Sequence, residues 1–327
     1  MSKKFICIFS NSLDRHLTEA TKFLGKEKII VIYSDDDSGN NEVGFNLKQG
    51  FFLRYANKII YPQELKVIWF RKPGQWWAFD PHKLTRKEID IMEYKRGEIS
   101  RLINEFINYC KQKGVPIICD PLAPLTLDYK LDQILVARKI GFRVPDTLVT
   151  DNYKQIENFI MQHGKKVIIK NLGSHPYSKT FERFDPQTFE MNLKIFKKYI
   201  KDNPLDYAIF IQEKIEKKFE LRVTIFGNKI FTCRIDSQNN PYTKIDWRAN
   251  SSDKLKHSPY KLPKKLKNMC LELLRAYRLY YGAIDIAVTP EGDYVFFENN
   301  PYGQYLWIED LTGMKMSQAM AELLLSF

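Results

Sequence analysis

The segment Gly282-Ala283-Ile284-Asp285-Ile286-Ala287-Val288-Thr289-Pro290-Glu291-Gly292-Asp293-Tyr294-Val295-Phe296-Phe297-Glu298-Asn299-Asn300-Pro301 decides how this chain folds and what it holds. Two apolar runs flank the turn-forming Pro290-Glu291-Gly292-Asp293, so residues 282–289 and 294–298 are expected to pair as an antiparallel hairpin. Residues two apart on a strand face the same side, which aligns Glu298 with Asn300, and Asp285 lies across the hairpin from them. Carboxylates among apolar neighbours such as Ile284, Ile286 and Phe296 need a partner. Three converging oxygen donors on a rigid element suit Mg²⁺, with its remaining positions left to phosphate oxygens and water.

Upstream, Lys130 opens a predicted helix over 127–140, and Lys170 ends the β-branched run Val167-Ile168-Ile169-Lys170 beside the turn Asn171-Leu172-Gly173-Ser174. A lysine at a strand end beside a glycine turn, as Lys170 is, is well placed to touch an α- or β-phosphate. Gln212-Glu213-Lys214-Ile215 ends another strand, whose free backbone can pair with an adenine edge, and Glu220 follows within reach of ribose hydroxyls. Taken singly, each of these charges reads equally well as solvated surface.

The rest of the chain supplies a frame. Residues 4–10, 28–33 and 66–70 read as strands and 81–113 as a long helix, the βαβ rhythm of a doubly wound sheet closed by 115–119. Pro121 and Pro124 mark a joint. Beyond it a helix is expected over 185–201, strands over 208–215, 221–226 and 229–236, and helices over 263–281 and 310–325. The expected domains are 1–119, 120–205 and 206–327.

With 327 residues, the chain is long enough for two or three lobes at roughly 150 residues each. No stretch approaches the roughly 20 apolar residues of a membrane span. Residues 5–9 are too short for a signal-peptide core and lack a cleavage site, so they read as the first strand. Five cysteines without a CxxC pair fit a reducing cytoplasm. The net charge of +12 favours an anionic partner. Zinc-finger spacing and an aromatic RNA-binding signature are absent, so an acidic peptide or nucleotide is expected rather than nucleic acid.

In order and spacing, these residues resemble the ATP-grasp superfamily: a lysine, a lysine at a strand end, a hinge glutamate, a ribose glutamate seven residues on, an aspartate, then Glu-x-Asn. The resemblance implies an α/β (α+β) ATP-grasp fold preceded by a doubly wound pre-ATP-grasp domain. It further implies phosphate contacts from Lys130 and Lys170, adenine contacts from Glu213, Lys214, Ile215 and Glu216, a ribose contact from Glu220, and two Mg²⁺ ions on Asp285, Glu298 and Asn300.

Val67-Ile68-Trp69-Phe70-Arg71-Lys72-Pro73, Glu220-Leu221-Arg222-Val223, Asp246-Trp247-Arg248 and Asn300-Pro301-Tyr302-Gly303-Gln304-Tyr305 are similar to motifs of the graspetide, or microviridin-type, peptide ligases. In that family the closing motif usually reads Asn-Pro-Asn-Gly-Gln-Trp, from which Tyr302 and Tyr305 depart. This resemblance implies an ATP-dependent ligase that activates Glu or Asp side chains of an acidic ribosomal precursor, leader plus core, and joins them to Ser/Thr or Lys. Arg222, Arg234 and Arg248 are the expected guanidinium groups at the reacting centre, with Asp246 a candidate base, and a homodimer is the implied assembly. Other readings are a RimK-like ligase extending a protein C-terminus and, in another class, an ATP sensor or basic nucleic-acid binder.

Overall fold

A computed structural model describes residues 4–36, 41–71, 84–123, 129–164, 166–172, 188–202, 207–249 and 255–327. The first lobe carries β1 (Phe5–Ser10), α1 (Arg15–Thr21), β2 (Lys28–Tyr33), β3 (Asn41–Asn46), β4 (Gly50–Tyr55), β5 (Lys58–Ile60), β6 (Leu65–Phe70), α2 (Arg86–Gln112) and β7 (Ile117–Ile118). Strands β2-β1-β6-β7 form one sheet whose pairings are parallel, as the βαβ rhythm requires. Asp14 caps α1, accepting from His16 N–H, and Thr85 caps α2 in a capping box with Glu88. The antiparallel sheet β3-β4-β5 was not expected from the sequence; Val43, Leu53 and Ile60 join its inner face to the core under α2.

Then come α3 (Lys130–Ile140), β8 (Thr147–Thr150), α4 (Tyr153–Gln162), β9 (Lys166–Lys170), β10 (Thr188–Asn192), α5 (Leu193–Asp202) and β11 (Ile209–Glu213). Strands β10-β9-β11-β8 make the central sheet, with α4 and α5 packed on one face through Ile156, Ile160 and Phe196. The helix expected over 185–201 starts only at Leu193. Thr188–Asn192 is a strand paired with β9, and Asn192 accepts from Ile195 N–H at 2.9 Å to start the helix. Residues 185–187, like Lys72, Pro73, Gly74, Gly173, Ser174 and the first residues of two expected helices at 81–83 and 127–128, lie outside the described residues.

The last part carries β12 (Phe219–Phe226), β13 (Lys229–Ile235), β14 (His257–Pro259), α6 (Lys264–Ala276), β15 (Tyr281–Val288), β16 (Tyr294–Asn300), α7 (Leu306–Thr312) and α8 (Met316–Leu325). The antiparallel sheet runs β14-β13-β12-β15-β16. The single helix expected over 310–325 is two helices, because Gly313 takes φ 71° and closes α7 in the left-handed region that glycine adopts freely.

The lobes do not divide where expected. Strand β11 belongs to the central sheet although it lies beyond residue 205, and α3 packs with the last sheet through Ala137. Ile6, Val67 and Trp69 of the first lobe share one core with Phe226, Tyr281 and Met320 of the last.

Candidate active site

A cleft of about 480 Å³ opens between the central and last sheets, lined by Lys170, Glu213, Ile215, Glu220, Asp285 and Glu298 among others. Its metal end depends on one irregularity. From Val288↔Tyr294 to Ile286↔Phe296 the hairpin keeps regular register, which carried on would set Glu298 opposite Ile284 and turn it into the core. A bulge at Phe297 shifts the register by one residue, so Glu298 opposes Asp285 and Asn300 opposes Ala283, on one face. Asn299 then turns to the other face, where its backbone pairs with Gln133 at 2.7 and 3.1 Å.

Asp285 is buried, and Arg222 Nη1 donates to it at 2.8 Å from the facing position on β12. Burial pushes the Asp285 carboxyl well above the usual carboxylate range; Arg222 offsets this in part, and the facing charge of Glu298 adds to it. Two carboxylates in cross-strand register repel each other and call for more positive charge than Arg222 supplies. An oxygen set of this kind fits Mg²⁺. Asn300 stands on the same face by register but does not line the cleft; its Oδ1 accepts from Tyr302 N–H at 2.8 Å and keeps a second lone pair.

On the opposite wall, the Lys170 ammonium lies 5.0 Å from the Phe297 ring centroid. Burial lowers its pKa to about 8, with Glu298 pulling the other way and Lys130 adding to the depression. Lys130 reaches the same corner and donates to the carbonyl of Asn171.

Residues 214–218 join β11 to β12. Ile215 is buried against Ala287 and Val295, an apolar seat for a flat ring. Glu213 lines the cleft, but its carboxylate accepts from Asp146 N–H at 3.2 Å and lies 3.7 Å from Arg143. Lys214 also lines the cleft and pairs with Glu190 at 2.9 Å, whereas the Glu216 side chain is 78% exposed and turned outward. Glu220 is buried and paired with Lys217 at 2.8 Å.

The three arginines part company. Arg222 opposes Cys233, and Arg234 opposes Leu221, so the two project from opposite faces and do not meet across the hairpin as expected. Arg234 stacks 4.1 Å from the Phe219 ring centroid and bonds Asp236 at 2.7 Å, outside the cleft lining. Arg222 is buried beneath Gly303 and serves Asp285. Arg248 alone lines the cleft: Nε and Nη2 bond both oxygens of Asp246 at 2.9 Å, and Nη1 lies 3.5 Å from Glu298. Burial would raise Asp246, but the Arg248 guanidinium holds its carboxyl below the usual range, which makes it a weak base.

Sequence reasoning missed Lys217 and Phe297. Lys217 binds Glu220 and the Ile245 carbonyl at 3.0 Å and lies 5.9 Å from Phe297. Its spacing three residues before Glu220 was the available signal.

The RimK-like ATP-grasp domain model matches residues 128–324. The chain belongs to the RimK-like ATP-grasp family. The ATP-grasp ligase fold extends over the whole molecule in solved structures. A ribosomal-peptide-associated ATP-grasp ligase of Chryseobacterium gregarium, in complex with ADP and a leader and core peptide, is 26% identical with a TM-score of 0.81, covering 99% of this chain and 97% of that one. The macrocyclase MdnC of Microcystis aeruginosa, bound with precursor peptide MdnA, has 24% identity and a TM-score of 0.79 over 99% of this chain and 100% of that one. The ATP-grasp ligase PsnB, complexed with a phosphomimetic variant of its minimal precursor, Mg and ADP, has 16% identity and a TM-score of 0.77 over 100% of this chain and 99% of that one. Among the described residues, no helix of this ATP-grasp protein is long and apolar enough to cross a membrane.

Proposed function

We propose that the chain activates Glu or Asp side chains of an acidic ribosomal precursor peptide as acyl phosphates and closes them onto Ser/Thr or Lys, making a macrocyclic ester or amide. The observation that carries this reading is the pairing of Asp285 with Glu298 across the bulged hairpin, facing Lys170 over a nucleotide-sized cleft. Likeness to a ligase solved with ADP and a leader and core peptide supports the peptide as substrate.

In this reading Ile215 and the backbone of 213–216 seat adenine, Glu220 holds ribose, and Lys130 and Lys170 hold phosphates. Asp285, Glu298 and Asn300 would hold magnesium, two ions by family resemblance, which supplies charge neutralisation at the phosphoryl group. A substrate carboxylate oxygen attacks the γ-phosphorus, and the bond to the ADP oxygen breaks. The substrate hydroxyl or amine then bonds the acyl carbon as phosphate leaves with the proton. Arg248 faces the reacting carboxylate, and Arg222 acts through Asp285. The positive surface draws the acidic precursor, and two copies of the chain form the working assembly.

The test is mass spectrometry of an acidic precursor peptide after incubation with enzyme and Mg-ATP. Loss of one water per ring with ADP release supports the proposal. A mass gain equal to an added amino acid indicates a RimK-like chain-extending ligase, and peptide-independent ATP binding without turnover indicates a sensor.

A further inference from the structure

The loop from Asn300 to Leu306 is clamped from two lobes at once. On its own lobe, Tyr281 Oη donates to the Gly303 carbonyl, and Gly303 lies so close to Arg222 that an added Cβ would stand 2.5 Å from Nη2. From the first lobe, the buried His16 ring enters edge-on to Tyr305, with ring centroids 4.7 Å apart. Its Nε2 accepts from the backbone N–H groups of Tyr305 and Leu306, both at 3.3 Å. With Nε2 accepting, the proton sits on Nδ1, which lies 2.9 Å from Asp14 Oδ1 and 3.0 Å from Arg71 Nη2, and the carboxylate is the one of these two that can accept it. Arg71, itself buried, lies 3.2 Å from Asp14 and donates to the Tyr302 carbonyl at 3.4 Å. Tyr302 in turn donates through its hydroxyl to the Asp120 carbonyl at 2.7 Å and through its N–H to Asn300 Oδ1 at 2.8 Å.

A chain of one ion pair and several hydrogen bonds therefore runs from the start of α1 through Arg71 and Tyr302 to the last oxygen of the metal face. A buried charged cluster is a costly way to join two lobes that already share an apolar core. What an apolar contact cannot do is fix the direction in which a loop amide points.

We propose that His16, held by Asp14 and Arg71, is a positioning residue for the metal face: it fixes the 300–306 loop so that Asn300 and the Arg222–Asp285 pair keep their metal-binding arrangement. The inference rests on the magnesium reading above. His16 touches neither nucleotide nor reacting atoms, and its effect passes through the backbone of Tyr305 and Leu306.

The test titrates Mg²⁺ against ADP affinity by calorimetry in the full-length protein. In wild type, Mg²⁺ should tighten ADP. In His16→Leu, ADP affinity without metal should hold while the Mg²⁺ needed for half the effect rises roughly tenfold or more. His16→Gln, whose amide oxygen can accept both N–H groups, should recover most of it. A purely structural His16 would lower the melting temperature of both variants and leave the Mg²⁺ requirement unmoved, which overturns the proposal. Tyr302→Phe, which keeps the ring and removes only the hydroxyl bond to Asp120, tests the same loop should His16→Leu not fold; it should raise the requirement severalfold, and an unchanged value again overturns the proposal. A wild-type protein whose ADP affinity ignores Mg²⁺ refutes the magnesium reading itself, and the inference with it.

Discussion

Lys170 carries charge only against the cost of its surroundings, and a bound phosphate would remove that cost. Its pKa of about 8 is set by burial, so above pH 8 nucleotide binding must draw a proton onto the side chain. Nucleotide affinity should therefore fall as pH rises above 8, by up to about tenfold per unit, with proton uptake measurable by calorimetry in buffers of different ionisation enthalpy. A flat profile would place the phosphates elsewhere. The two facing carboxylates should separate in their effects. Glu298 is one-third exposed, so Glu298→Gln should cut turnover roughly 100-fold or more while leaving the melting temperature nearly unchanged. Asp285→Asn should cut turnover comparably and also cost about 3–5 kcal/mol in denaturant unfolding, because it leaves the buried Arg222 without its counter-charge.

The hairpin β15–β16 shows what is legible at the scale of an element. Its strands, turn and metal-facing residues could be read from composition and period, yet strict period-two pairing sends Glu298 to the wrong side, and only the bulge at Phe297 corrects it. Bulges escape sequence reading because one extra residue changes register without changing composition. Deleting Phe297 removes the extra residue and should restore a regular ladder with Glu298 still opposite Asp285, so Mg-nucleotide binding in calorimetry should survive the deletion, whereas inserting one residue after Phe297 should turn Glu298 off the metal face and abolish it. Arg222 and Arg234 looked alike on one predicted hairpin, whereas the register Arg222↔Cys233 and Leu221↔Arg234, unbroken from the Gly227-Asn228 turn, puts them on opposite faces. The strand β10 was absorbed into a helix because Thr188–Asn192 is defined by its partner β9, a contact between segments that the local pattern does not announce. Gly303 is a tighter constraint: a Cβ there would meet Ala283 Cβ at 2.3 Å and Arg222 Nη2 at 2.5 Å. Gly303→Ala should lower stability by about 1–3 kcal/mol in denaturant titration.

Over the whole molecule, the first and last lobes are not independent, because Trp69, Tyr281, Tyr305 and Met320 meet in one core. A fragment lacking residues 1–119 should not fold cooperatively, and loss of a sharp thermal transition would show it. Charge also acts at this scale: with a net +12, affinity for an acidic peptide should drop roughly tenfold between low and near-molar salt, measured by fluorescence anisotropy. Order of the motifs along the chain made the ligase legible from sequence, since Lys130, Lys170, Glu213, Glu220, Asp285 and Glu298 do gather around one cleft.

Among the described residues the chain passes between the cleft's two walls before β8 and after β11, and these crossings run side by side where Glu213 N–H meets the Asp146 carbonyl at 2.9 Å. The backbone thus ties the central sheet to the other wall through one doubled strap. Ile215, the seat proposed for the base, lies on that strap, so an arriving nucleotide would brace the crossing itself and hold the two walls in register around whatever enters between them.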